Sequence, residues 1–428
     1  MRAPAVRVRM YDVGFGDCFL LTFDYGRFHR HILIDCGTTA RNASQERARL
    51  LPVARDIAAE CGGRLDAVVI SHRHRDHLGG FARLKRSEAP GNILAGLRPK
   101  LVLQPWTEDP RLPEHPSRRR RAFYQSLTEA GQAATEVLRE QARQFARTQP
   151  AHLAALAWRT FANQAAIDGI RQLSGRHRYL HRGQPTGLEP LLPGFRIAVL
   201  GPAPPEDEGS WSVLERNLQR ERWRALAALA RPRPLRTGRL LFPPYRAWSA
   251  GLFPPPARWF LDRIRDLQQD QMLSFVRAVN SEINNTSLVL MFDGFGQRML
   301  FAGDAECDSW RQMLADARIR EWVARTTLYK ASHHGSGNGT PRSVWSLIAQ
   351  SHPQSKPLAT LLSTKSGVYG AEAKHSEVPC RELVAAFAAR GRLLDTRDIR
   401  GPRRSATARY ADIRLLPQSA GGLLLEAA

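Results

Sequence analysis

The chain has 428 residues and a formal charge of +23, with 63 Lys and Arg against 40 Asp and Glu and 43% hydrophobic residues. That composition is globular and excludes a disordered or fibrous chain. No apolar run reaches 18 residues, which excludes a spanning helix from the reading, and no membrane partner is expected. The first four residues lead straight into an alternating segment at 6–10, with no apolar leader core before it, so a cytoplasmic location is the expectation. The five cysteines are odd in number and none is paired at metal-finger spacing; they read as reduced thiols. The basic balance suits an anionic substrate, with nucleic acid a candidate partner. An Arg-, Ala- and Pro-rich chain from a GC-rich coding sequence would carry the same balance without that meaning.

Residues 6–11, 18–23 and 31–35 read as three strands, punctuated by Gly14, Gly16 and Gly26. Residues 44–61 have helical spacing, with Ser44 as the expected N-cap and Gly62-Gly63 as the stop. Short apolar strands follow at 67–70 and 101–103. Between 111 and 280 the character changes to Arg, Ala, Leu and Trp, and this segment carries about +13 of the charge. Helices are expected there near 118–148, 151–173, 206–230 and 257–280, with a proline-rich loop at 232–256. Only 195–200 reads as a strand of the main sheet. Strands return at 287–292, 299–302, 328–331 and 359–363, separated by helices near 307–318, 341–350 and 379–390. Short tail strands include one at 406–415. No fixed-period repeat is present. Alternating strands and helices predict an α/β layered core.

The segment Ser71-His72-Arg73-His74-Arg75-Asp76-His77-Leu78-Gly79-Gly80 follows the apolar strand at 67–70. His72 and His74, two apart in a turn, can face one ion; Asp76 and His77, opening a helix, can face a second. Imidazole and carboxylate ligands suit zinc, manganese or iron.

With this H-x-H-x-D-H segment the sequence resembles the metallo-β-lactamase superfamily. Val13 to Cys18 and Ile34 to Gly37 resemble that family's opening strands, and Phe301-Ala302-Gly303-Asp304 resembles its Gly-Asp strand end. Lys330-Ala331-Ser332-His333-His334-Gly335-Ser336 resembles the late histidine motif in the HHGS form of DNA-uptake competence proteins and phosphorylcholine esterases. The resemblance implies an αββα sandwich over the whole chain, interrupted by a mostly helical insertion at about 111–280. It implies two divalent cations, zinc or manganese. His72 and His74 would hold one and Asp76 and His77 the other, with Asp304 bridging them.

The resemblance also implies that one histidine of the late pair would complete the second ion: His334 is favoured, with His333 touching the substrate oxyanion. Where many members carry a third histidine for the first ion, this chain has Asn284-Asn285, and either amide could ligate or orient a water; an Asn-rich turn entering a strand is the plain alternative. Asp304 could also be a helix N-cap. The resemblance to the competence proteins, whose His-Pro motif reads His375-Ser376 here, implies that His375 could protonate a leaving group; a surface turn residue is the plain alternative. Asp17 and Asp35 are expected to support the site through hydrogen bonds, or to be turn residues. The implied chemistry is hydrolysis by a water activated between two cations and oriented by Asp76. Phosphodiesters, nucleic acid among them, are the leading substrate class. Small esters, lactones or lactams are the alternative, and a non-catalytic partner-binding module is a third.

Overall fold

The computed structural model describes residues 4–40, 42–84, 88–118, 163–207, 276–350, 358–370, 376–399 and 407–416, with scattered positions between 120 and 132 and Ser274. Thirteen strands among the described residues form two sheets. The first has the order β13-β1-β2-β3-β4-β5-β6, and the second β12-β11-β10-β9-β8-β7.

In the first sheet, β1 (Ala5–Tyr11), β2 (Cys18–Asp24) and β3 (His29–Cys36) run as antiparallel neighbours. β3 then pairs in parallel with β4 (Ala67–Val69), and β4 with β5 (Leu101–Pro105). The parallel pairing places the ends of β3 and β4 side by side, which matters for the site. β6 (His177–Leu180) closes one edge and β13 (Tyr410–Leu415) the other. In the second sheet, β7 (Arg196–Gly201), β8 (Val289–Gly294) and β9 (Gln297–Phe301) are antiparallel. β10 (Leu328–Lys330), β11 (Ala359–Leu362) and β12 (Arg392–Asp395) continue from β9 in parallel.

Side-chain alternation along the strands explains the layering. On β2, Phe19, Leu21 and Phe23 face the second sheet, while Cys18 and Leu20 face the other way. On β8, Leu290 and Phe292 face the first sheet, while Val289 and Met291 face outward. Both faces are buried, so the strands read as continuous apolar runs. Between the sheets, Phe19 meets Phe301 edge-on at 5.8 Å and Phe23 meets Phe195 at 5.0 Å. Each such buried ring contributes about 1.5–3 kcal/mol from its removal from water.

The outer face of the first sheet is covered by α1 (Ala43–Glu60), α3 (Pro90–Gly96) and α4 (Gln164–Arg171), with α2 (Arg75–Leu78) at its end. The outer face of the second carries α5 (Cys307–Leu314), α6 (Ala317–Ala324), α7 (Arg342–Gln350) and α8 (Arg381–Arg390). The architecture is thus the expected α/β sandwich of four layers, helix, sheet, sheet, helix. No helix among the described residues is long and apolar enough to cross a membrane.

Several local expectations differ. Asn42, not Ser44, caps α1: its side chain accepts from the Gln45 N–H at 3.0 Å, and Ser44 lies inside the first turn. The single helix expected at 307–318 is two, because Asp316 starts a new cap, accepting from the Arg318 N–H at 2.8 Å. Within 111–280, residues 163–207 supply an edge strand to each sheet and the packed helix α4. The strand β6 escapes a periodicity reading because three of its four residues are only half-buried. The proline-rich loop at 232–256 and nearly all of the helix expected at 206–230 lie outside the described residues, as does His375.

Candidate metal centre

The His-rich turn leaves the sheet at the end of β4, and α2 begins directly after His74, whose backbone is still extended. Close approach of main chains fixes its place. A Cβ on Gly37 would collide with the backbone at Asp76 and His77, and one on Gly80 would lie 2.6 Å from the Cys36 carbonyl oxygen. The second sheet contributes from the ends of its own parallel strands. Asp304 follows β9, and His333 and His334 follow β10. The two sheets are tied at this rim by the Leu288 N–H, which donates to the Ser71 carbonyl at 2.8 Å.

His72, His77 and His334 are wholly buried, and His74, Asp76 and Asp304 nearly so. His72 Nε2 lies 2.9 Å from His74 Nδ1. His77 Nε2 lies 3.2 Å from Asp304 Oδ2, and His334 Nε2 lies 3.4 Å from both Asp304 Oδ2 and Asp76 Oδ2. Two triads each bring their ligand atoms within 4.8 Å of one another: His72, His77, Asp304 and Asp76, His77, His334. His77 and Asp304 sit where the two halves meet.

The remaining ring nitrogens are spoken for, and this sets the tautomers. His77 Nδ1–H donates to Asp35 Oδ2 at 2.9 Å, and His334 Nδ1–H donates to the Ser363 carbonyl at 3.0 Å. The Ser71 hydroxyl donates to Asp35 Oδ2 at 2.6 Å and can accept from His72 Nδ1–H at 3.1 Å. Each arrangement turns an Nε2 inward. His74 Nε2, His77 Nε2, His334 Nε2, Asp304 Oδ1 and Asn284 Oδ1 are all buried without a hydrogen-bond partner. Orphaned polar atoms in an interior cost about 1–3 kcal/mol each. The two triads of buried imidazole and carboxylate atoms, all of types that ligate cations, fit a divalent metal.

Backbone strain is concentrated here. Asp35, His333 and His334 have φ of 55°, 48° and 53°, a left-handed region that costs a non-glycine residue on the order of 1–3 kcal/mol. Packing on both sheets holds them there.

Electrostatics divide the histidines into two kinds. Burial, with neighbouring imidazoles, pushes His72 well below its ordinary range, and burial lowers His74 to about 4 despite Asp76 and Asp304. Burial also acts against charge on His77, but Asp304 and Asp35 outweigh it and raise it to about 10. His334 is likewise raised, against burial, by Asp304 and Asp17. Asp76 falls to about 2 because His334 and His77 overcome its burial.

Below the first sheet's rim, Lys330 is buried against Asp17 and donates to the Gly303 carbonyl at 2.9 Å. Its ammonium is 3.6 Å from Asp304 Oδ1. Asp17, Asp35 and His77 form a third cluster of ligand atoms, but Lys330 already supplies a cation to Asp17 there. Asp35 lies within hydrogen-bonding reach of His77, and Asp17 within ion-pair reach of His77 and His334.

A proton balance follows. Without a cation, His77 and His334 carry protons at neutral pH; a metal must displace them. Uptake of divalent ion at pH 7 is expected to release close to two protons per molecule. Calorimetry in buffers of different ionisation enthalpy measures this, and heats independent of buffer would contradict it. Because His77 is raised, its ion pairing stabilises the cation-free protein fully below about 6.5. That contribution disappears as pH rises through about 10, while metal affinity climbs over the same interval.

Of the other expected residues, Asn285 is committed elsewhere. Its Oδ1 accepts from the backbone N–H groups of Glu306 and Ser309 at 3.3 and 3.2 Å, at the start of α5. Asn284, fully buried, keeps its Oδ1 free. It joins the cluster through His333, whose Nε2 is 3.3 Å from Asn284 Nδ2. His333 is the more open of the late pair, with its side chain 21% exposed, where that of His334 is sealed. Glu306, which faces both His333 and Asn284, and Lys330 were not singled out from the sequence. Lys330 opens the segment that ends in His333-His334-Gly335-Ser336, and that adjacency is its signal in the sequence.

A family model described as Beta-lactamase superfamily domain matches residues 30–160, from β3 through the His-rich turn and beyond. The stretch holds His72, His74, Asp76 and His77; Asp304 and His334 lie outside it. No curated protein matches the chain.

Proposed function

We propose that the protein is a metal-dependent hydrolase that uses two divalent cations, zinc or manganese, to cleave phosphodiesters, with nucleic acid among its substrates. The observation that carries this reading is the pair of buried ligand triads, His72, His77, Asp304 and Asp76, His77, His334, which share His77. The HHGS form of the late motif and the charge of +23 support the phosphodiester class.

His72 and His74, with Asn284 Oδ1, would hold one ion; Asp76, His77 and His334 would hold the other; Asp304 would be shared. When bound, the ions supply Lewis acidity and a water of lowered pKa. The chain's own residues do the rest. Asp35 and Ser363 keep His77 and His334 in the tautomers that point Nε2 inward. Asp76, held ionised, is the group that orients the attacking water. His333, on the open side, contacts the substrate oxygen on which charge builds. Lys330 offsets the carboxylates beneath, so that the cluster does not repel an anionic substrate.

Rates on bis-(p-nitrophenyl) phosphate, compared with lactone and lactam panels in manganese and in zinc, test the proposal. Turnover of the phosphodiester is expected; turnover of carbon esters or lactams alone would refute it. One observation favours that second reading. Phe15, itself buried, packs on His334 with ring centroids 4.3 Å apart and on Tyr369 at 4.8 Å, so the ligand set has an apolar neighbour on that side.

A further inference from the structure

We infer that Glu306 is a positioning residue that sets both the direction of the Asn284 amide and the tautomer of His333. An amide is nearly symmetric in shape, so nothing in its outline decides which end faces a cation. Its neighbours decide. A carboxylate only accepts hydrogen bonds. Glu306 Oε1 lies 2.7 Å from one end of the Asn284 amide, so that end is the NH2 group. The other end, Oδ1, is thereby turned to the buried side, where it has no partner.

The same Oε1 lies 3.3 Å from His333 Nδ1, and Asn338 Oδ1 lies 3.2 Å from it. Two acceptors at one ring nitrogen place the proton of neutral His333 on Nδ1. The lone pair is then on Nε2, where it meets the Asn284 NH2 at 3.3 Å. The side chains form one linked set: Asn284 donates to Glu306 and to His333, while His333 Nδ1 has its hydrogen bond with Asn338 and keeps Glu306 Oε1 within ion-pair reach. Glu306 is anchored in turn by the Ser281 hydroxyl, which donates to its Oε2 at 2.5 Å. Its backbone is fixed by Asn285 at the head of α5. Glu306 touches neither a predicted ligand atom of the His-rich turn nor Asp304 in any of these contacts. Its effect on the first cation passes through Asn284.

The inference deepens the hydrolase reading, and part of it rests on that reading. If Asn284 Oδ1 serves where a third imidazole would stand, Glu306 is what makes an oxygen available there. A partner that orients a ligand typically accounts for a factor of about 10–100 in metal affinity.

The test uses the full chain and three variants. Glu306→Gln can keep an oxygen toward Asn284 and His333 and donate its amide to Ser281, so it preserves the set without charge. Glu306→Met fills the same volume and accepts nothing; Glu306→Ala, which admits water, replaces it should Met prevent folding. Nitrogen-15 spectra of His-labelled, cation-free protein at a pH where His333 is neutral, with His333→Asn to assign the signal, report the tautomer. Manganese and zinc titrations report affinity.

Expected are an Nδ1-protonated His333 in the parent and in Glu306→Gln, with affinities within about 3-fold. In Glu306→Met the proton shifts toward Nε2 and affinity for the weaker-bound ion falls about 10–100-fold. An unchanged tautomer and unchanged affinity in Glu306→Met and Glu306→Ala overturn the inference. If the parent binds no cation at all, the hydrolase reading fails, while the spectra still decide whether Glu306 sets His333.

Discussion

Replacing Asp304 with Ala is expected to cut phosphodiester turnover by on the order of 10³-fold and to remove bound cation from the purified protein. Its Oδ2 faces His77 Nε2 at 3.2 Å and His334 Nε2 at 3.4 Å, and its Oδ1 is an orphan near Lys330. Burial opposes its charge, yet His77, His334 and Lys330 hold its carboxyl well below the usual range. Removing it leaves three cationic groups facing one another in a water-poor interior. Asp304→Asn keeps the shape and loses the charge, so it separates shape from electrostatics. Elemental analysis for metal and steady-state rates on bis-(p-nitrophenyl) phosphate measure both effects. Parental metal content and rates in Asp304→Ala would remove the shared carboxylate from the account.

Lys330→Met is expected to be the most damaging single change to the cation-free fold. Breaking a buried pair by removing one partner costs about 3–5 kcal/mol, because the other charge is left unpaired. Here the partner is Asp17, itself 1% exposed, which without the ammonium keeps only the more distant imidazoles of His334 and His77, at 3.5 and 3.6 Å. Urea denaturation of metal-free protein measures the loss. The double variant Lys330→Met, Asp17→Asn is expected to recover much of it, since neither charge then remains. A loss below about 1 kcal/mol in the single variant would show that the ammonium is not the counter-charge of this site.

The site was legible where its residues are contiguous. His72, His74, Asp76 and His77 share one turn, and the apolar run before them marks the end of a strand. Asp304 and His334 were legible only through the family resemblance of their motifs, because nothing in linear spacing says that residues more than 220 positions from His77 will meet it. Glu306 was invisible for a related reason. An acidic residue at the start of a helix is ordinary, and its meaning lies in Asn284 and His333, which reach it from a helix terminus and from a strained turn on other elements. Most strands of both sheets were readable because they are buried on two faces, whereas β6 and β12, half-buried over much of their length, were not. The boundary errors arose where local chemistry offered two answers. Asn42 and Ser44 can both cap a helix, and only the register of α1 against Leu50, Val53 and Ile57 chooses between them.

The pairing of β1 with β13 carries a consequence for synthesis. Arg9 Nε and Nη2 each lie 2.8 Å from a carboxylate oxygen of Asp412, across 403 positions of chain. At about 5–20 residues per second, a ribosome needs roughly 20–80 s to deliver the partner of that first strand. Through that interval the outer ladder of β1 has no neighbour, and its amides and carbonyls are open to any passing extended peptide. A nascent chain of this protein therefore presents an open strand edge at β1 until β13 emerges to pair with it.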